Sequence, residues 1–451
     1  MKRTQRRALG LAATLSVAAL VTATVTASAG TESVSQDGEG YYQVSLEGNR
    51  SLSQLKATGA DITRATSGGA EVATDSRGAQ ELRDRGYQVT YRSSLYAPVP
   101  KQATRAAAGT YYGGYHTVAA HEAHNAKVAA DHPTLAKVHD IGDSYLKTTG
   151  KGGHDIQAVC ITESADKACS LSTAGKPKMV LMGQIHAREV STGELAYRWI
   201  DELTTSADPE IVQLRKTREL WVIPIANPDG VDKVASRPDR PISQRKNMNY
   251  TSADEAKCGG TSAFRQAGVD LNRNSDLAWD PNEGTACGQT FPGVKAASEP
   301  ETQAVQGFLA KVYPDKKDDD YKAAVKPGAS GVFLTLHAYG NYVIHPYSFT
   351  NTTKAPDAAA LKTLGKKMTA FNKYRLGTAG ETVGYTAPGG TDDWAYGRLG
   401  VAGYTFEVGG SSGTCGGFFP AYSCMDGFWE KNRGAFIAAA QGAADPYGQK
   451  G

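Results

Sequence analysis

The chain has 451 residues, a formal charge of only +3, and 21% charged residues. That length exceeds one small domain. No basic block lies outside the first residues, so nothing points to a nucleic-acid partner.

Lys2, Arg3, Arg6 and Arg7 precede an uncharged apolar run from Ala8 to about Val21, and Ala27-Ser28-Ala29 supplies a small-x-small cleavage pattern. This reads as a secretion signal over 1–29, so a secreted, extracellular protein is expected. Arg6-Arg7 opens the alternative of twin-arginine export, but the residues after it match that pattern poorly. The apolar run is too short and alanine-rich for an anchor, and no membrane association is expected after signal removal.

Residues 30–109 read as a separate small α+β unit with a linker. Tyr41–Leu46 alternates as a strand does, Leu52–Thr58 and Gln80–Arg85 suggest helices, and Tyr87–Tyr91 is strand-like. Pro98 to Gly109 has linker composition with basic cleavage points, Lys101 and Arg105. The unit is expected to be a propeptide released by an activating protease.

The large region, 110–451, alternates helices and apolar strands. Helices are expected over Ala119–Ala130, Thr192–Leu203, Glu299–Val312, Ala358–Tyr374 and Phe428–Ala443. Strands are expected over Lys178–Ile185, Glu219–Ala226, Gly331–Leu336, Tyr342–His345 and Val401–Phe406. Asn227-Pro228-Asp229-Gly230 reads as a turn. The pattern is that of an α/β fold with a mixed, largely parallel central sheet flanked by helices.

Six cysteines fit an oxidising destination and fall as three local couples: Cys160 with Cys169, Cys258 with Cys287, and Cys415 with Cys424. Fifteen pairings are open to six cysteines. Nearest-neighbour pairing is the working expectation because each couple brackets a polar or Gly-rich loop.

Three strand ends carry polar residues. His186 and Glu189 follow one, His337 ends a second and Glu407 a third. Sites in open α/β sheets form beyond the carboxyl ends of strands. Two imidazoles and a carboxylate suit one Zn2+ ion with a fourth position left for water, which points to hydrolysis. Glu407, in an apolar strand, is the candidate general base. Arg273, beside Asn272 and Asn274, is suited to a substrate carboxylate, and a loop-stabilising role is the equal alternative. Tyr385 borders a mobile-looking Gly/Pro loop able to cover a substrate. His121 and His124 read as a surface feature, and His345 as a rim residue.

In order, His-Ala-Arg-Glu (186–189), Asn-Pro-Asp-Gly (227–230), Asn-Arg-Asn (272–274), Leu-His-Ala-Tyr (336–339), Tyr-x-Ala-x-Gly-Gly (385–390) and Thr-Phe-Glu (405–407) resemble the zinc metallocarboxypeptidase family of the A and B type. The resemblance covers about Tyr112 to Asp445. It implies hydrolysis of the C-terminal bond of peptides and proteins, with zinc on His186, Glu189 and His337 and Glu407 as base. It implies Asn272, Arg273 and Tyr385 as clamps on the terminal carboxylate and Arg188 further along the substrate. Cys258 and Cys287 look like the family's main disulfide. Asp392 and Ser348 match the choice of B-type enzymes, implying preference for C-terminal Lys or Arg, with breadth to neutral side chains as the alternative. Where the family has Arg-Lys-x-Arg, this chain has Arg245-Lys246-Asn247-Met248, so methionine stands at the place read as the oxyanion arginine; either Arg245 reaches in, a nearby donor substitutes, or zinc carries more of the work. A monomer is the default. The rival readings are a related zinc peptidase of cell-wall peptides and a non-catalytic binding module. The complete carboxylate clamp argues against the first, and the intact ligands and base against the second.

Overall fold

The computed structural model describes residues 38–48, 50–98, 108–259 and 265–448. The signal segment and the cleavage points Lys101 and Arg105 lie outside the described residues.

Four central strands, Ala402–Glu407, Val332–His337, Lys178–Met182 and Glu219–Ile223, run parallel in that spatial order. Asp155–Ile161 and Ala136–Asp143 extend one side antiparallel, and Tyr342–Ile344 with Arg375–Gly377 complete the eight-stranded sheet on the other. The sheet is mixed, with a parallel centre.

Alternate residues of one strand serve opposite faces. Met179 and Leu181 join a core with Leu195, Trp199 and Phe436 from the helices Val190–Thr205 and Met425–Gly442. Val180 and Met182 join a second with Val305 and Phe308 from Pro300–Val312 and Trp394 from Thr391–Leu399. Burial on both faces is why these strands read as continuous apolar runs rather than alternating ones.

Two local readings change. Asn227-Pro228-Asp229-Gly230 opens the helix Pro228–Ala235: Asn227 accepts from the Gly230 amide and Pro228 occupies the first turn, where its missing N–H costs nothing. His121 and His124 are not a surface feature. Three apart on the helix Val118–Asp131, they share its packed face; His121 is buried, and His124 stacks on Tyr197 and bonds Asp201 at 2.7 Å.

The sheet Gly40–Ser94 is antiparallel, in the order Asp61–Thr66, Gly69–Thr74, Gly40–Ser45, Val89–Ser94. The hairpin 61–74 escaped the sequence reading because its alternation is weak and polar. With the helices Leu52–Ala57 and Ser76–Asp84 it encloses its own core around Val44, Leu55, Val72 and Leu82. Disulfides join Cys160 to Cys169, Cys258 to Cys287, and Cys415 to Cys424. Among the described residues no helix is long and apolar enough to cross a membrane.

Gly403, inside a central strand, marks a close backbone approach. A methyl group there would lie 2.4 Å from the carbonyl oxygen of Asp392 on the helix Thr391–Leu399. Gly403→Ala is therefore expected to cost about 1–3 kcal/mol through overpacking. Urea unfolding checks this, and an unchanged midpoint would show that the helix shifts freely.

Candidate metal centre and active site

The sheet register builds the site. His337 and Glu407 are Cα partners at the ends of adjacent parallel strands, so both side chains emerge at one edge. His186 lies four residues beyond the end of Lys178–Met182, the strand on the other side of His337. Glu189 immediately precedes the helix Val190–Thr205.

The ligand atoms of His186, Glu189 and His337 lie within 4.8 Å of one another, and all three residues are buried. Glu189 Oε1 is 2.8 Å from His186 Nδ1 and its Oε2 is 3.1 Å from His337 Nδ1. The two Nδ1 atoms face each other at 3.0 Å. Two ring nitrogens and a carboxylate converging out of water fit one zinc ion. Burial raises the Glu189 carboxyl pKa, but His186 and His337 outweigh it and hold the group well below its usual range.

The outer partners orient these ligands. His186 Nε2 meets Asp270 Oδ1 at 3.0 Å, and His337 Nε2 meets Thr335 Oγ1 at 3.1 Å. Asp270 also accepts from Arg245 Nε at 3.0 Å and Nη2 at 2.9 Å. Despite complete burial, Arg245 and then His186 keep Asp270 well below the usual carboxylate range. The sequence reading gave Asp270 no role. Its spacing two residues before Asn272 was the available signal, but only the fold brings it to His186.

Arg245, not Met248, lines the cleft with Glu189 and Glu407. Its Nη1 is 3.8 Å from Glu189 Oε1. The Met248 sulfur receives the Tyr250 hydroxyl at 3.3 Å instead. Methionine at 248 therefore leaves no gap in this cleft. Glu407, at the same wall, is pushed up to about 8 by burial and then by Glu189.

Asn272 and Arg273 sit on the short turn Leu271–Arg273. The Asn272 side-chain Oδ1 accepts from Thr391 N at 3.0 Å and Oγ1 at 3.1 Å, which turns its Nδ2 toward the cleft and His337. The loop after Tyr385 packs on this turn at Gly389, whose φ is +73° and where a side chain would strike the Arg273 carbonyl at 2.2 Å. Burial pushes the half-buried Tyr385 phenol up to about 12. The Gly/Pro segment is short, since Thr391–Leu399 is helical and carries Asp392 in its first turn.

Asp392 and Ser348 line the same cleft, the serine Oγ lying 3.4 Å from Asp392 Oδ2. Asp393 caps the Ser348 and Phe349 amides at 2.8 and 2.9 Å. Burial raises both carboxyls, and Asp392 raises its neighbour further. His345 is buried beneath this wall, not at a rim, with its Nδ1 3.0 Å from the Pro346 carbonyl.

Arg188 is fully buried, its guanidinium 3.9 Å over the Phe418 ring and its Nη1 2.6 Å from Asp61 of the N-terminal sheet, an ion pair without hydrogen-bond alignment. Asp61, Ile62 and Thr63 line the cleft. The sequence reading missed this strand, whose first residues reach the cleft from the open end of the hairpin.

The family pattern described as zinc carboxypeptidase matches residues 121–435, well over half of the chain. Zinc carboxypeptidase A 1 of Anopheles gambiae is 28% identical over 311 residues, 66% of this chain and 60% of the mosquito protein. The zinc carboxypeptidase of Saccharothrix mutabilis subsp. capreolus is 25% identical over 396 residues, 84% of this chain and 83% of that protein. The crystal structure of carboxypeptidase A from Helicoverpa armigera has the same fold, with a TM-score of 0.67 at 20% identity, covering 90% of this chain and 98% of that one. A pattern that spans the metal triad, the Asn-Arg turn and Glu407 leaves one conclusion: the chain belongs to the zinc carboxypeptidase family.

Proposed function

We propose that the chain is a secreted, monomeric zinc carboxypeptidase that removes the C-terminal residue of peptides and proteins, preferring Lys or Arg. The observation that carries this is one cleft holding the buried triad His186, Glu189 and His337 beside Glu407, with Asn272, Arg273 and Tyr385 around it. When bound, zinc supplies a Lewis acid that makes water a better nucleophile and polarises a carbonyl.

The chain's own residues do the rest. Asn272 and Arg273 hold the terminal carboxylate, Arg273 through paired donors. Tyr385 closes over it. Glu407 takes the proton from the attacking water and returns it to the leaving amine. Arg245, fully charged and anchored by Asp270, donates to the carbonyl oxygen as negative charge grows there. Arg188 binds the peptide upstream.

Asp392 explains the preference for basic side chains. Its carboxyl is raised by burial, so a cation in the pocket stabilises the ionised form, while an apolar side chain leaves it unpaired. The region 30–109 acts as a propeptide: Asp61 engages Arg188, and Ile62 and Thr63 line the cleft beside it. An external protease cutting between about Pro98 and Gly109 releases it.

Trypsin-treated, zinc-loaded protein assayed on peptides ending in Lys, Arg, Leu or Phe, each with an amidated control, tests the reading. Release of single residues from free C-termini, lowered steeply by amidation and abolished by a zinc chelator, is the expected result. No release from any free C-terminus sinks it. Glu407→Gln should lower kcat by about 10²–10⁴. The base works deprotonated, so kcat/KM rises with pH through its pKa. A cation among the triad draws that value down, so the acid limb should fall below pH 8. A limb above 8, or one that survives in Glu407→Gln, excludes this role. Asp392→Ala should cut the Lys-over-Leu ratio about 10–100-fold; an unchanged ratio removes Asp392 from specificity. In the uncleaved chain, Asp61→Ala should raise peptide hydrolysis severalfold, and equal rates would leave the Asp61–Arg188 pair without an inhibitory part.

A further inference from the structure

Glu283 belongs to the loop closed by the Cys258–Cys287 disulfide and is 5% exposed. Its Oε1 accepts from Arg273 Nε at 3.1 Å and from Lys56 Nζ at 2.5 Å. The loop holds it firmly. Its amide donates to the Asp280 carbonyl at 3.2 Å, and its own carbonyl receives the Thr290 hydroxyl at 3.0 Å.

A guanidinium presents five N–H donors in one plane. In Arg273, Nε is taken by Glu283 and Nη1 by the Asn272 carbonyl at 2.8 Å. Two bonds on different edges fix both the plane and the rotation of the group. Nη2 has no acceptor among the described residues, and Arg273 lines the cleft with Asn272 and Tyr385. A long side chain held in this way loses little further freedom when a carboxylate arrives, and that is how preorganisation raises affinity.

We propose that Glu283 is the positioning residue of the carboxylate clamp: it sets the Arg273 guanidinium so that its free edge meets the substrate's terminal carboxylate. This rests on the reading of Arg273 as that clamp. Glu283 touches no substrate; it acts through Arg273. Lys56, on the helix Leu52–Ala57, draws on the same oxygen, so that helix grips the clamp through this carboxylate in the uncleaved chain. After cleavage Glu283 serves Arg273 alone.

The test uses the zinc-loaded full chain after trypsin treatment. kcat and KM are measured on a peptide with a free C-terminus, and kcat/KM on its amide. Glu283→Ala should raise KM on the free acid about tenfold while kcat stays within about twofold, the signature of lost uniform binding. The acid-over-amide ratio of kcat/KM should fall with it. Glu283→Gln keeps an acceptor for Nε and should restore KM to within about threefold of the parent. Glu283→Asp keeps the charge but withdraws the acceptor by one methylene; it should raise KM to an intermediate value, and it serves if the alanine variant does not fold. Arg273→Ala runs beside them. If that variant keeps full acid-over-amide discrimination, Arg273 is not the clamp and the underlying reading fails. If it loses discrimination while Glu283→Ala and Glu283→Asp leave KM unmoved, the positioning role is overturned. Equal losses on acid and amide, or a fall confined to kcat, overturn it too, because they mark general damage.

Discussion

The Asp270 carboxylate holds the active-site cleft together. It is buried with no water to solvate it, a position that costs several kcal/mol unless opposite charge is close. Arg245 grips one oxygen with two donors and His186 meets the other. Each partner is in turn committed elsewhere: His186 faces Glu189 and His337, and Arg245 faces the open cleft. One buried anion thus fixes the tautomer of a metal ligand and the aim of the cation proposed to meet the oxyanion. Preorganisation of this kind is where most electrostatic catalysis originates.

The same physics governs the edges of the cleft. Its cations are satisfied in pairs: Arg188 with Asp61, Arg273 with Glu283, and Lys56 sharing Glu283. Two of these residues come from the N-terminal region: Asp61 from its sheet and Lys56 from the helix Leu52–Ala57. That sheet also sends Glu71 to the Tyr339 hydroxyl at 2.8 Å and the Tyr41 ring against Phe418. The seam is also apolar: Tyr41, Ala73 and Leu95 belong to the same buried core as Tyr339 and Phe419.

Much of the site was legible before any coordinate. His186, Glu189, His337 and Glu407 stand at the ends of apolar runs, and strand ends of a parallel sheet converge whatever the details of the helices. The strands themselves were legible because burial on both faces demands unbroken apolar residues. Less legible were elements whose stability is tertiary. The hairpin 61–74 is polar and weakly patterned, and it exists because its second strand pairs with Gly40–Ser45 and its open end reaches Arg188 through Asp61. Helix 391–399 begins inside a Gly/Pro segment that reads as a loop. The histidines at 121 and 124 look solvated by composition, yet Tyr197 arrives from another helix to cover them.

The sequence by itself determined the chemistry: which side chains can hold zinc, which carboxylate remains for a proton, and which arginines stand near an amide. Those are properties of residue type and of strand periodicity, and they are local. Tertiary structure alone decided the partnerships. Arg245 rather than Met248 faces the cleft, Asp270 reaches back to His186, and Glu283 crosses from a disulfide loop to Arg273. Such pairings join residues well apart in the chain, 10 positions for Arg273 and Glu283 and 84 for His186 and Asp270. Nothing in the spacing of a chain encodes which of many charged residues will meet once loops have closed. Burial then makes each meeting decisive, because a charge out of water must be paired.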